Sequence, residues 1–176
     1  MSRAAFLDRD GVINRKAPEG QYITRWEDFQ FLPRVAEAIT LLNRAGFSAI
    51  VVSNQRCVAK GLLSIAELES IHERMLAQLA LSNAPLAGVY YCPHDNHSSC
   101  FCRKPAPGML LQAATEHSID LADSWMVGDS DIDIQAGKTA GCRTLRILRN
   151  GVSPEITADL SAPSLFEAAH ELMKVR

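Results

Sequence analysis

Two carboxylates one residue apart, Asp8 and Asp10, follow a short apolar run at residues 4–7, and Gly11 comes immediately after them. In an extended strand, residues i and i+2 point to the same side, so both acids face one spot just beyond the strand's end. Like charges this close repel, and one of them holds a proton unless a cation lies between them. That arrangement suits a nucleophile, a proton donor and a divalent metal. Gly11 permits a tight turn and lets backbone N–H groups come close to a ligand. A lone Asp-x-Asp is more often a polar turn after a strand. The rest of the chain has to decide.

Four further apolar runs read as buried strands. Residues 49–52 end in Ser53-Asn54-Gln55, residues 88–91 in Cys92 and residues 125–127 in Gly128-Asp129, while residues 143–148 form a fifth strand. Between them lie helical patterns. One starts at Pro33, buries Val35, Ala38, Ile39, Leu41 and Leu42, and stops at Gly46. Ser64-Ile-Ala-Glu67 is a capping box opening a helix to about Leu81, with Leu68, Ile71, Met75 and Leu79 inward. Others run from Pro107 to His117, through Ile134 and Ala136 to Gly141, and from Ser164 to Lys174. Strands this apolar have no wet face, and their alternation with helices indicates a parallel sheet covered on both sides. In such sheets ligands bind beyond the carboxyl ends of the strands. Asp8, Ser53, Cys92 and Asp129 all stand there. Residues 15–27 read as an irregular flap with little core of its own, too short for a large lid.

With 176 residues, 47% hydrophobic, 22% charged and a net charge of −2, the chain fits a single domain, 1–176, that buries a core without disulfide staples. No basic run points to nucleic acid, and no apolar stretch reaches membrane-spanning length. The first strand starts within a few residues of Met1, which gives the expectation of a cytoplasmic chain without a leader. A monomer is expected. Five cysteines in a reducing compartment argue for metal or packing rather than a disulfide framework.

Asp8-x-Asp10-Gly11, Ser53-Asn54, Lys104-Pro105 and Gly128-Asp129 with Asp133 resemble the four motifs of haloacid-dehalogenase (HAD) superfamily phosphatases. More narrowly, residues 8–14, Cys92-Pro-His94, Cys100-Phe-Cys-Arg-Lys-Pro105 and Pro107-Gly-Met109 resemble the D-glycero-D-manno-heptose 1,7-bisphosphate 7-phosphatases and their relatives the histidinol-phosphate phosphatases. The resemblance implies a Rossmann-like three-layer α/β/α sandwich with a mainly parallel sheet, no large cap domain and a zinc-bound loop. It implies Asp8 as nucleophile, forming an aspartyl-phosphate, and Asp10 as the acid that protonates the leaving oxygen and then activates water. Ser53, the Asn54 backbone and Lys104 match the groups that hold the transferring phosphoryl oxygens. Mg²⁺ is implied at Asp8, Asp129 and the Asp10 backbone carbonyl, with Asp133 supporting that shell or capping a helix. Asp131 is read as solvated.

Cys92, His94, Cys100 and Cys102 then form a tetrahedral set suited to structural Zn²⁺, with no ligand position left open. His97 offers a competing imidazole, but Cys-x-His matches the family. A Cys100–Cys102 bridge is the alternative. Residues 95–99 are entirely polar, so zinc would order the segment and aim Arg103 and Lys104. Gly11, Asn54, Arg56 and Arg103 are the expected substrate contacts, and Arg56, Arg103 and Lys60 are cations expected near the rim for a second phosphate. Cys57 stands where the family loop has Gly, and Ser130 where relatives often have lysine; both bear on substrate fit. Cys142 is expected in the core. The rival functions are a histidinol-phosphate phosphatase, a polynucleotide 3′-phosphatase, which would want a basic groove, and a zinc-stabilised binding module without catalysis.

Overall fold

The computed structural model describes residues 1–149, 151 and 153–175. Among them, six parallel strands form one sheet in the order β3-β2-β1-β4-β5-β6. The strands are β1 (Arg3–Leu7), β2 (Phe47–Asn54), β3 (Gly88–Cys92), β4 (Trp125–Gly128), β5 (Arg143–Ile147) and β6 (Leu160–Ala162). The helices are α1 (Val35–Arg44), α2 (Ile65–Leu81), α3 (Gly108–His117), α4 (Asp131–Ala140) and α5 (Leu165–Lys174).

Strand alternation divides the core into two layers. Ala5 and Leu7 of β1 join Ala49 and Val51 of β2 under α1, α2 and α5. Ala4 and Phe6 join Ile50, Val52 and Met126 under α3 and α4. All of these strand residues are fully buried. Both sheet faces are therefore dry, which is why the strands read as continuous apolar runs.

The chain adds strands outward from β1 through β2 to β3, then returns to place β4 on the other side of β1. The carboxyl ends of β1 and β4 thus flank the point where strand order reverses, and a crevice opens there because successive crossovers leave in opposite directions. Asp8 follows β1 and Asp129 follows β4.

The structure departs from the sequence reading in three places. Strand β6, three residues long, carries too little pattern to be read in advance. The flap is better anchored than its polar sequence suggests. Ile23 and Phe29 are buried, and Trp26, Phe29 and Phe31 stack together, with Trp26 and Phe29 5.0 Å apart. Helix α1 begins at Val35 because Arg34 adopts a left-handed conformation (φ 61°).

Candidate active site

The end of β1 is fixed to β4 by a hydrogen bond from the Asp8 N–H to the Val127 carbonyl, 3.0 Å. This holds the Asp8 carboxylate beside Lys104, whose buried Nζ lies 2.8 Å from Asp8 Oδ1 and 2.7 Å from Asp133 Oδ1. The same ammonium donates to the Val52 carbonyl at 2.7 Å. The Lys104 backbone is itself clamped by the Asn54 amide. Asn54 Nδ2 donates to the Lys104 carbonyl (2.9 Å), and Oδ1 accepts from the Lys104 N–H (3.0 Å). The Asn54 side chain therefore serves Lys104. Asp133 accepts from the N–H and hydroxyl of Ser130, so it caps α4 while pairing with Lys104. Gly128 makes the approach possible, since a Cβ there would collide with Asp133.

Burial chiefly, and then the Asp133 charge, raises Asp8 to about 6, with Lys104 pulling the other way. Burial also opposes the Lys104 charge, yet Asp133 and Asp8 outweigh it and hold its pKa above the ordinary lysine value. The site is a crowded set of carboxylates with one ammonium among them. A further cation would relieve it.

Ligand atoms of Asp8, Asp129 and Asp133 lie within 4.8 Å of one another. Both Asp133 oxygens are already engaged, by Lys104 and Ser130. Asp129 is nearly inaccessible, and its Oδ1 has no hydrogen-bond partner. Its Oδ2 meets Lys16 at 3.5 Å and pairs with Arg149. A hard divalent cation fits this oxygen set, with the unpartnered Asp129 Oδ1 and the Asp8 carboxylate placed to hold it. The Asp10 carboxylate lines the same cavity but is not part of that ligand set.

It accepts from Arg9 Nη2 on both oxygens (3.0 Å each), from Asn14 Nδ2 on Oδ1 (2.9 Å) and from Gln55 Nε2 on Oδ2 (3.0 Å). Burial works to raise the Asp10 pKa, but the Arg9 charge and these hydrogen bonds hold it below the usual carboxylate range. Gln55 also donates to Ser53 Oγ at 2.7 Å, joining the acid to the phosphoryl-holding serine. Cys57 is buried beneath and donates to Gln55 Oε1 (3.5 Å). It reaches the site through Gln55 and does not line the cavity, so the expected effect on substrate fit is indirect.

The expected role for the Gly11 N–H needs correction. It donates to the Asn14 carbonyl at 2.7 Å and closes the turn rather than facing a ligand. Glycine is required here for two other reasons. Its φ is +101°, and a Cβ would strike Asp129 and Arg149.

A cavity of about 320 Å³ opens over these groups, lined by Asp8, Asp10, Ser53, Asn54, Lys104 and Ser130 and by the flap from Lys16 to Ile23. Arg56 and Arg103 are not among its lining residues, contrary to expectation. Arg56 Nε pairs with Asp95 at 2.6 Å, and Arg103 donates to the His94 carbonyl (3.2 Å) and Asn96 Oδ1 (2.5 Å). Both brace the loop at residues 92–102. Lys60 lies over the Tyr22 ring. Besides the buried Arg9 and Lys104, the cation that does line the cavity is Lys16. Asp131 is also corrected: it accepts from Arg146 Nη2 (2.6 Å) and from the N–H groups of Glu155 and Ile156, pinning the segment before β6. Cys142 is buried in the core as expected.

Cys92, His94, Cys100 and Cys102 converge, and His94, not His97, completes the group. Cys92 Sγ is 3.5 Å from His94 Nδ1 and 3.6 Å from Cys100 Sγ, and Cys102 Sγ is 3.3 Å from the same nitrogen. The cysteines are free rather than bridged. Burial and the neighbouring sulfurs push the Cys102 thiol up to about 12, and a bound cation would favour its thiolate. The set can hold a metal ion.

The sequence reading missed Arg9, Lys16, Gln55, His72 and Arg149 at or behind the site. Arg9 alone carried a usable signal, since it stands between two acids that an extended chain turns to the opposite side.

The HAD-hydrolase-like family profile matches residues 101–172. The D-glycero-beta-D-manno-heptose-1,7-bisphosphate 7-phosphatase of Escherichia coli K12 is 40% identical over 97% of this chain and 94% of its own length. That of Photorhabdus laumondii is 37% identical over 97% and 93%. Among solved structures, the D,D-heptose 1,7-bisphosphate phosphatase of B. bronchiseptica, complexed with magnesium and phosphate, superposes with a TM-score of 0.87 at 31% identity over 99% of both chains. The chain therefore belongs to the family of HAD-like phosphatases that contains the D-glycero-β-D-manno-heptose-1,7-bisphosphate 7-phosphatases. It is a phosphoric monoester hydrolase.

Proposed function

We propose that this chain, acting as one hydrolase domain, removes the 7-phosphate of D-glycero-β-D-manno-heptose 1,7-bisphosphate. The observation that carries the reading is the convergence of Asp8, Lys104, Asp129 and Asp133 at the reversal of strand order. The relatives named for that substrate cover nearly the whole chain. An Asp8 oxygen attacks phosphorus as the bond to the sugar oxygen breaks; the charge of the bound phosphate favours uptake of a proton by Asp10, ionised in the free site, and Asp10 passes that proton to the departing oxygen. Asp10 then accepts a proton from water as the water oxygen displaces Asp8 from phosphorus, releasing phosphate and restoring both acids. Lys104, Ser53 and the Asn54 backbone hold the phosphoryl oxygens throughout, which is where most catalysis of phosphoryl transfer originates.

Mg²⁺ would be held by Asp8, Asp129 and the Asp10 carbonyl, and supplies charge that offsets repulsion between Asp8 and the phosphate. Zn²⁺ would be held by Cys92, His94, Cys100 and Cys102, where four protein ligands serve structure rather than chemistry. It orders a loop to which Arg56 and Arg103 already bind. Lys16 is the cation offered to a second phosphate at the mouth, with Arg103 acting through the loop it braces.

Phosphate release should be measured with the β- and α-anomers of the heptose bisphosphate, the heptose monophosphate and histidinol phosphate. The β-bisphosphate should give the highest kcat/KM, with the product keeping its 1-phosphate. Equal efficiency on the monophosphate, or preference for histidinol phosphate, would overturn the substrate and leave the phosphatase chemistry standing.

A further inference from the structure

Arg9 is among the largest fully buried side chains of the protein, and it belongs to no hydrophobic layer. It stands between the two acids of the Asp8-Arg9-Asp10 turn, at the lining of the cavity but almost wholly covered. Its Nη2 spans both oxygens of Asp10. Its Nη1 lies 3.1 Å from Nε2 of His72, a buried residue on α2. Arginine has only donors, so Nε2 of His72 must be the acceptor, and the ring is neutral with its proton on Nδ1. Burial, followed by the Arg9 charge, keeps it so by pushing His72 down to about 3. The ring packs against Tyr91, with centroids 5.4 Å apart, and the Phe29 ring lies 5.8 Å from the guanidinium.

These contacts fix the guanidinium from behind, and it in turn fixes Asp10 from behind. A carboxylate with both oxygens occupied by planar donors has one orientation rather than many. The remaining donors, Asn14 and Gln55, hold the flanks. Proton transfer to a leaving oxygen depends on such aim, because reach and angle decide whether transfer keeps pace with bond breaking.

We infer that Arg9 and His72 form a buried positioning pair that holds the Asp10 carboxylate in the orientation from which it exchanges a proton with the leaving oxygen. His72 does not line the cavity, and the Arg9 side chain, 1% exposed, acts through the carboxylate it holds. The pair matters in proportion to how much the leaving group needs a proton. A sugar alkoxide needs one; p-nitrophenolate leaves without it. The inference rests on Asp8 as nucleophile and Asp10 as acid.

The test compares His72→Phe, which removes the acceptor for Arg9, with His72→Gln, whose amide oxygen can replace it. Each is assayed for kcat/KM with a sugar phosphate and with p-nitrophenyl phosphate, since kcat/KM reports only steps through leaving-group departure. His72→Phe should lose at least ~30-fold with the sugar phosphate and less than ~3-fold with p-nitrophenyl phosphate. His72→Gln should recover most of the sugar-phosphate loss. Equal losses on both substrates would assign the pair to packing alone and overturn the inference, as would no loss on either. Failure of both variants to fold would also overturn it, since a positioning role predicts that the conservative change is tolerated. Asp8→Asn measured alongside separates the two levels. Turnover by that variant would remove the site assignment itself, whatever the His72 variants do.

Discussion

The carboxylate cluster and the cysteine–histidine loop stand a few residues apart in sequence at Lys104 and Cys102, but they are held by opposite means. Asp8, Lys104, Asp129 and Asp133 are almost completely buried and fixed by strand ends and a clamped backbone. The sheet imposes their geometry, and it persists despite like charges because Lys104 lies between Asp8 and Asp133. Among the described residues, the loop at residues 92–102 meets the apolar core through its cysteines alone. Between His94 and Cys100 its side chains are all polar and mostly exposed, and its shape rests on four ligand atoms and two arginine contacts. One region uses the fold to crowd charges for chemistry. The other uses donors to replace a core that is missing.

The sharpest way to break this contrast is Asp8→Asn. Turnover should fall by about 10⁴-fold or more, because the amide has no charge with which to attack phosphorus. The melting temperature should hold or rise, since a crowding charge is gone. A variant that loses its fold along with its activity would mean the cluster is structural after all.

Lys104→Met asks the opposite question of the same cluster. It strands two buried carboxylates without their cation and should cost about 3–5 kcal/mol of stability as well as activity. Urea unfolding measures it, and a cost below ~1 kcal/mol would show that the sheet holds the carboxylates apart without help.

On the other side of the comparison, a Cys92→Ser/Cys102→Ser protein should lose a bound zinc, present at about one per chain in the parent. It should melt on the order of 10 °C lower, equivalent to about 3 kcal/mol for a domain of this size. Chelating Mg²⁺ should instead stop turnover with a far smaller shift. Elemental analysis and calorimetry separate the two. Zinc-free parent protein would end the clamp assignment.

The smallest effect concerns His72, which lies behind the cluster. Its folded pKa is depressed to about 3 against an unfolded value near 6.5, so the unfolded chain binds the extra proton between those values. Stability from this group is present above pH ~6.5 and is lost as pH falls toward 3. Between pH 7 and 5 the loss is about 2 kcal/mol. His72→Gln should show that much less acid sensitivity in unfolding titrations, and an unchanged pH dependence would show that His72 is not held neutral.

The strand ends, and most of what they carry, are legible in the chain alone. A doubly buried parallel strand must be apolar along its whole length, so Asp8, Ser53 and Asp129 stand out where the apolar runs stop. Ligand spacing made the Cys92, His94, Cys100 and Cys102 set equally legible. Strand β6 and the docking of the flap were not legible, because three residues show no period and aromatic packing depends on partners remote in the chain. Nor could the sequence say where long side chains would go. Arg56 and Arg103 carry charge that suits a phosphate, yet Asp95 and Asn96 lie closer to hand and take them. Gln55, Arg9 and His72 converge on Asp10 from two loops and a helix. Local pattern reports what a residue's own backbone must bury or expose. Which distant partner satisfies a flexible charged or amide side chain is decided only when the sheet brings the segments together, and there the tertiary structure alone had the answer.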